Sequence, residues 1–192
     1  VAVHPIGAVT QGTQGKDLAD MYDMHRSGAI AFSDGNLPSL VAGVMERALM
    51  YVKAFDGLIL AHPEDKSISK NGVVHEGTVG TLLGLPMMPA LAEEIAVQRD
   101  LFLLEYTHSK LHLLDISTAR STEMIKQFKK KKLNLSCSVN AYQLLLNDSA
   151  VGSYNTLCKL NPPLRPASDV TAIINAVSSG VIDAVTSGHQ PH

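Results

Sequence analysis

The sequence lacks the features by which several classes of protein are recognised. Its 2 cysteines, Cys137 and Cys158, are too few for a disulfide framework, and their apolar surroundings predict reduced core thiols. The balance of 16 basic and 18 acidic residues indicates neither a nucleic-acid surface nor a polybasic membrane anchor. No apolar stretch approaches the roughly 20 residues that span a bilayer. These absences predict a cytoplasmic protein with no nucleic-acid or membrane partner.

Short apolar runs alternate with longer amphipathic ones, which predicts strands joined by crossover helices in a parallel sheet. The predicted strands are residues 2–9, 29–32, 57–61, 110–114, 133–139 and 181–186, of which the first has the weakest pattern. The predicted helices are residues 37–55, 89–107, 117–132 and 166–180. The strands are apolar on both faces, as parallel strands covered by helices are. Two architectures remain open, an open doubly wound sheet and a closed (β/α)8 barrel.

Polar residues gather just after the predicted strands, and this placement favours the barrel. They are, in chain order, Asp34, His62, Glu64, Asp115, His189 and His192. In a barrel the carboxyl ends of all strands meet at one mouth, so these residues would form one constellation. No G-x-G-x-x-G or P-loop pattern follows any strand, which weighs against a nucleotide-binding open sheet. The sequence therefore predicts an incomplete barrel of about five or six βα units.

Histidines and carboxylates at one barrel mouth indicate metal-assisted hydrolysis. Their nitrogen and oxygen atoms are suitable ligands for Zn²⁺, and a catalytic zinc site leaves one position open for water. Such a water is converted to hydroxide near neutral pH and attacks a carbonyl group. The alternative for any single histidine is a packing role, and only the grouping of several favours the metal.

Eight segments in order along the chain resemble dihydroorotase, a cyclic amidohydrolase of pyrimidine synthesis, and look closest to a divergent bacterial branch. The segments are "GAVTQGTQGKDLADM", "GAIAFSDG", "HPEDKS", "EGTVGTLLGLP", "AEEIAVQRD", "LHLLDISTARS", "KLNPPLRPASD" and "GVIDAVTSGHQPH". The resemblance implies that residues 1–192 are part of a single amidohydrolase barrel domain. It also implies interconversion of N-carbamoyl-L-aspartate and L-dihydroorotate through a water activated by one or two zinc ions. The family's N-terminal His-x-His-x-Arg strand and C-terminal remainder are absent, so we expect the middle of a longer chain.

The resemblance assigns roles to individual residues. Asp34 in "FSDG" and His62 in "HPED" match metal ligands of the family. Asp115 stands where a metal-binding histidine belongs, and it is the third predicted ligand. Asn161 in "LNPPLR" and His192 in the terminal loop match residues that bind substrate.

Three further departures from the family pattern bear on catalysis. Gly35 replaces a second aspartate, and Gln143 replaces a common histidine. Gly188 occupies the position of the catalytic aspartate, which moves a proton from the attacking water to the leaving nitrogen. The adjacent His189 is the candidate substitute base, because an unperturbed histidine has a pKa of about 6.5. From the sequence, Gly188→Asp is expected to raise activity modestly, and more when combined with Asp115→His.

Three functions are therefore considered. The first is an active, zinc-dependent dihydroorotase that acts on a small-molecule substrate. The second is a catalytically degenerate homologue with a structural or assembly role, for example with aspartate transcarbamoylase. The third is another cyclic amidohydrolase, such as an allantoinase or hydantoinase, against which Asn161 in "NPPLR" argues. We expect the protein to form a homo-oligomer.

Overall fold

The structure is a computed structural model, and it describes residues 2–36, 40–152 and 154–188. The strands are β1 (Ile6–Gly7), β2 (Ala31–Phe32), β3 (Leu58–Ala61), β4 (Val74–His75), β5 (Met87–Met88), β6 (Lys110–Leu113), β7 (Asn134–Asn140) and β8 (Ala184–Thr186). The α-helices are α1 (Met21–Arg26), α2 (Ala42–Lys53), α3 (Lys66–Ser69), α4 (Thr78–Leu83), α5 (Leu91–Thr107), α6 (Ala119–Lys129), α7 (Tyr142–Leu145) and α8 (Ala167–Ser178). Short 3-10 helices cover Gln11–Thr13, Asp148–Val151 and Thr156–Cys158.

Six parallel strands form the central sheet, in the order β1-β2-β3-β6-β7-β8. All six predicted strands are present in it, although most are shorter than their apolar runs. The starts of three central strands are aligned, since Leu58 pairs with Lys110 and Lys110 pairs with Asn134. Among the described strands the order follows the chain without the reversal that defines a doubly wound sheet. This order is that of consecutive βα units along the wall of a barrel.

The four long helices cover the sheet and are the four that were predicted. Each of α2, α5 and α6 packs against the next long helix along the chain, so the helices follow the order of the strands. Helix α2 shows the pattern that drives this packing, because Val44, Ala48 and Val52 lie on one buried stripe. The stripe joins an apolar core that includes Ile59 and Leu111 from the strands.

Two excursions of the chain lie at the carboxyl ends of the strands. Residues 62–90 follow β3 and contain α3, β4, α4 and β5, while residues 141–166 follow β7 and contain α7. Their apolar side chains share a second cluster, which includes Val74, Val151 and Leu164. The hydroxyl of Tyr154 also donates to the carbonyl of Leu83 at 2.9 Å. These contacts hold the two excursions together beside the mouth of the sheet.

Both cysteines are free and buried, as their apolar surroundings predict. Burial raises the pKa of the Cys137 thiol to about 12, so this thiol is protonated and unreactive at neutral pH. Within the described ranges, no helix has the length and apolar character needed to cross a bilayer.

Candidate active site

The candidate site lies where polar side chains follow the carboxyl ends of adjacent strands. Asp34 comes just after β2, His62 directly after β3, and Asp115 just after β6. Because β2, β3 and β6 are parallel neighbours, all three residues lie at the same edge of the sheet. Asn161 reaches this edge from the excursion that follows β7. The structure therefore places Asp34, His62, Asp115 and Asn161 at one end of the sheet, as a barrel mouth requires.

His62 lies between two carboxylates. Its Nδ1 is 3.6 Å from Oδ2 of Asp115, and its Nε2 is 3.7 Å from Oε2 of Glu64. The imidazole is 5% exposed. Burial by itself would lower the pKa of His62, but the carboxylates of Asp115 and Glu64 raise it to about 9. Without a bound ion, His62 is therefore the positive centre of this part of the site.

Glu64 anchors the opposite side of the imidazole and is held by several donors. Lys66 Nζ donates to its Oε2 at 2.6 Å, and Asn161 Nδ2 donates to the same oxygen at 3.1 Å. The Ser69 hydroxyl donates to Oε1. Burial would raise the pKa of Glu64, but the nearby imidazole of His62 and the hydrogen bonds from Lys66, Ser69 and Asn161 hold this pKa well below its usual range. Glu64 is thus a fixed carboxylate that orients both His62 and Asn161.

Two buried polar atoms at the site have no hydrogen-bond partner among the described residues. They are Nδ1 of His62 and Oδ1 of Asn161. Both residues line a cavity of about 10 Å³, together with Glu64, Asp115 and Arg165. Such a volume is comparable to one water molecule or ion and is too small for an organic substrate. Since buried polar atoms are rarely left unpaired, these two atoms mark where a ligand would bind.

A metal ion fits two of the three predicted ligands. Atoms bound to a tetrahedral zinc at 2.0–2.2 Å lie roughly 3.3–3.6 Å apart. The distance of 3.6 Å between His62 Nδ1 and Asp115 Oδ2 is close to this spacing, and His62 Nδ1 is one of the unpaired atoms. However, no three His, Cys, Asp or Glu side chains within the described ranges converge closely enough to hold a metal ion.

Asp34, the third predicted ligand, is engaged elsewhere. Its Oδ1 accepts the backbone N–H groups of Val9 and Thr10 at 2.8 and 3.0 Å. Its Oδ2 accepts the hydroxyl of Thr10 at 2.5 Å. Asp34 is 8% exposed, and its carboxylate ties β2 to the loop after β1. The structure therefore brings His62 and Asp115 together but gives Asp34 a different set of partners.

Gly188 is the last described residue before the predicted terminal loop, and its surroundings are filled. Its φ is +62°, which L side chains rarely adopt. A Cβ added there would lie 2.7 Å from Cε1 of Tyr142 and 3.0 Å from Oδ1 of Asn140. The gain in activity expected from Gly188→Asp is therefore revised, because an aspartate side chain has no room beside Tyr142. His189 and His192 lie outside the described residues.

Gln143, which the family resemblance sets at a common histidine position, has a structural role in the fold. Its side chain is buried, and Nε2 donates to the carbonyls of Pro162 and Pro163 at 3.0 and 3.2 Å. These bonds fix the segment that begins at Asn161.

Two buried charged residues that the sequence analysis did not identify form a network beside the site. Glu93 and Arg165 are 4% and 1% exposed, and Arg165 Nη2 lies 3.6 Å from Glu93 Oε2. Glu93 accepts the N–H groups of Ser117 and Thr118, while Arg165 Nε donates to the Ser117 hydroxyl at 2.9 Å. This network holds the segment after Asp115. The sequence feature that could have indicated this network is Arg165, a charged residue within the mostly apolar run "NPPLRPA".

Comparisons with known proteins agree with this architecture. A family model described as dihydro-orotase-like matches residues 1–121. The chain is 44% identical over its full length to a protein from Pelotomaculum thermopropionicum named dihydroorotase, and it covers 45% of that protein. It is 41% identical to a protein of the same name from Geotalea daltonii, again covering 45% of it. The chain thus spans about half the length of the curated relatives it matches.

Solved structures show the fold. An L-hydantoinase (dihydropyrimidinase) from Arthrobacter aurescens superposes with a TM-score of 0.80 at 20% identity, covering 96% of this chain and 42% of that one. A D-hydantoinase (dihydropyrimidinase) from a Thermus species gives a TM-score of 0.78 at 17% identity, covering 98% and 43%. The predicted incomplete (β/α)8 barrel is therefore confirmed.

Proposed function

Because the chain belongs to the dihydro-orotase-like family, we propose that it is part of a cyclic amidohydrolase of pyrimidine biosynthesis that interconverts N-carbamoyl-L-aspartate and L-dihydroorotate. The observation that carries the proposal is the pair of unpaired buried atoms, His62 Nδ1 and Asn161 Oδ1, beside Asp115. Unpaired polar atoms at the mouth of a barrel are what a ligand-binding site requires. The expected setting is a cytoplasmic homo-oligomer.

His62 and Asp115 would hold one zinc ion through Nδ1 and Oδ2, and the remaining ligands would come from outside this pair. Zinc would supply polarisation of the substrate carbonyl and hydroxide near neutral pH. Glu64 keeps the imidazole of His62 oriented through the contact at Nε2. Asp34 is the other ligand that the family resemblance suggests, and it would have to share its carboxylate with Thr10.

Asn161 would bind the substrate. Its Nδ2 is already committed to Glu64, so its unpaired Oδ1 is the atom left to accept an N–H group of the substrate. Because the cavity beside this oxygen has a volume of only about 10 Å³, it would have to widen to admit the substrate. The proton that passes from attacking water to leaving nitrogen needs a separate carrier, which Gly188 cannot be. His189 remains the proposed substitute, and His192 a proposed substrate-binding residue, both outside the described residues.

A second function is a catalytically degenerate homologue with an assembly role, for which aspartate transcarbamoylase is the candidate partner. Two observations favour it. Gly188 has no carboxylate where the family has its acid–base group, and both oxygens of Asp34 are engaged by Val9 and Thr10. Loss of a general acid–base group costs on the order of 10²- to 10⁴-fold in rate.

Bound zinc and turnover, measured together, distinguish the two functions. For an active enzyme we expect at least one zinc per chain and formation of dihydroorotate from carbamoyl aspartate. His62→Gln should remove the zinc and lower the rate more than 100-fold, about the loss expected for a key group. His4→Gln, at an exposed histidine, is the matched control and should change neither. A zinc-free, inactive protein that binds aspartate transcarbamoylase would instead establish the assembly role.

A further inference from the structure

A chain of hydrogen bonds links the carboxyl ends of β7 and β8. The hydroxyl of Thr186 donates to Oδ1 of Asn140 at 2.6 Å, and Nδ2 of Asn140 donates to the hydroxyl oxygen of Tyr142 at 2.7 Å. The backbone N–H of Ala141 also donates to the carbonyl of Thr186 at 2.8 Å. These bonds set the direction of the amide of Asn140. The Tyr142 hydroxyl therefore acts as acceptor towards Asn140 and keeps its own hydrogen for another partner.

The ring of Tyr142 takes the room that a side chain at position 188 would need. A Cβ built on Gly188 would lie 2.7 Å from Cε1 of Tyr142, closer than real Cβ contacts come. Gly188 also has a φ of +62°. Tyr142 and a larger residue at 188 are therefore mutually exclusive in this backbone arrangement. This chain has combined a glycine at 188 with an aromatic ring that fills the space beside it.

Tyr142 follows β7, and its ring contacts position 188 just after β8, so it lies at the same edge of the sheet as the candidate site. Burial, together with the negative charge of Asp115, raises the pKa of Tyr142 to about 12, while its bond with Asn140 lowers it. The hydroxyl is therefore protonated at neutral pH. A neutral phenol cannot take the proton of an attacking water, but it is a good hydrogen-bond donor to an oxygen atom.

We propose that Tyr142 is a substrate-binding residue of this chain, and that its hydroxyl donates a hydrogen bond to an oxygen of the substrate from the space beside Gly188. The inference rests on the proposed function, because the substrate in question is N-carbamoyl-L-aspartate or its cyclic product L-dihydroorotate. The ring of Tyr142 thereby occupies the space of the missing carboxylate, but its hydroxyl does not perform the proton transfer of a carboxylate. It contributes binding where an aspartate would carry a proton.

Tyr142→Phe tests the proposal because it removes only the hydroxyl and keeps the ring against Gly188. Binding of L-dihydroorotate and of N-carbamoyl-L-aspartate is measured by calorimetry on the purified protein. We expect binding to weaken by roughly 3- to 10-fold, the effect of losing one neutral hydrogen bond. Tyr154→Phe is the matched control, since its hydroxyl bonds to Leu83 away from the site. It should leave both affinities unchanged, and thermal unfolding should confirm that both variants fold.

The outcomes separate the inference from the proposed function. Weaker binding by Tyr142→Phe alone supports the inference. If the unmodified protein binds either compound and Tyr142→Phe binds it equally well, the inference is overturned while the proposed function stands. If the unmodified protein binds neither compound, both are overturned.

Discussion

Replacement of Glu93 by glutamine should destabilise the protein strongly. Glu93 lies in the first turn of α5, yet its carboxylate reaches the start of α6, where it accepts the N–H groups of Ser117 and Thr118 at 3.1 Å. The hydroxyls of both residues donate to it as well. Arg165 Nη2 lies 3.6 Å away and supplies the opposite charge. The substitution keeps the size of the side chain and removes its charge.

The magnitude follows from burial. The side chains of Glu93 and Arg165 are 5% and 1% exposed, so water cannot solvate the guanidinium that would lose its counter-ion. Removing one partner of a buried ion pair costs about 3–5 kcal/mol. We expect the lower value, about 3 kcal/mol, because Arg165 keeps its bonds to the Ser117 hydroxyl and the Met88 carbonyl. In a domain of this size, that loss lowers the midpoint of thermal unfolding by roughly 6–12 °C.

Glu94→Gln is the matched control. Glu94 follows directly in α5 and its side chain is 14% exposed, but it pairs at 3.3 Å with Arg120, whose side chain is 71% exposed. Because water can solvate this arginine, the pair contributes about 0–1 kcal/mol. Urea unfolding of both variants measures the difference. If Glu93→Gln costs less than 1 kcal/mol more than Glu94→Gln, the buried network does not stabilise the protein.

Two further predictions concern other buried or strained positions. Burial raises the pKa of Asp100 from its ordinary value of 3.8 to about 6, although Arg99 opposes this, so its ionisation opposes folding. The protonated carboxyl therefore stabilises the fold fully below about pH 4, and about 3 kcal/mol of this stability is lost as the pH rises through 6. Asp100→Asn should remove this part of the pH dependence when the free energy of unfolding is measured at pH 4, 5.5 and 7. An unchanged pH profile would contradict the prediction. Gly84→Ala, at a φ of +63° with open space, should cost about 1–2 kcal/mol in urea unfolding. Gly188→Ala, at a φ of +62° against Tyr142, should cost about 1–3 kcal/mol more, and equal costs would mean that the ring moves aside.

The sheet was predictable because its signals are local. Each central strand is an apolar run followed by an amphipathic helix, and the structure contains all six strands and all four long helices. The short elements β4 and β5 were not predicted. They form through contacts between segments, such as Gly72, where an added Cβ would lie 2.6 Å from the backbone of Met87. Periodicity within one segment carries no information about such contacts.

The site was only partly predictable for the same reason. His62 and Asp115 follow neighbouring strands, so strand order alone suggests that they lie close together. Glu93 could be read from the sequence only as an early carboxylate of its own helix, whereas its side chain stabilises the start of the next helix. Asp34 likewise looked available for a metal, and only the fold shows that Thr10 engages it.

Asp115, Tyr142 and Gly188 are linked to one another through the site. Asp115 lies 3.6 Å from His62, the charge of Asp115 acts on Tyr142, and the ring of Tyr142 occupies the space beside Gly188. A carboxylate at 188 would have to displace an aromatic ring. Gly188→Asp alone therefore creates a clash with the ring of Tyr142. Any return to the family's acid–base arrangement must alter position 142 together with position 188.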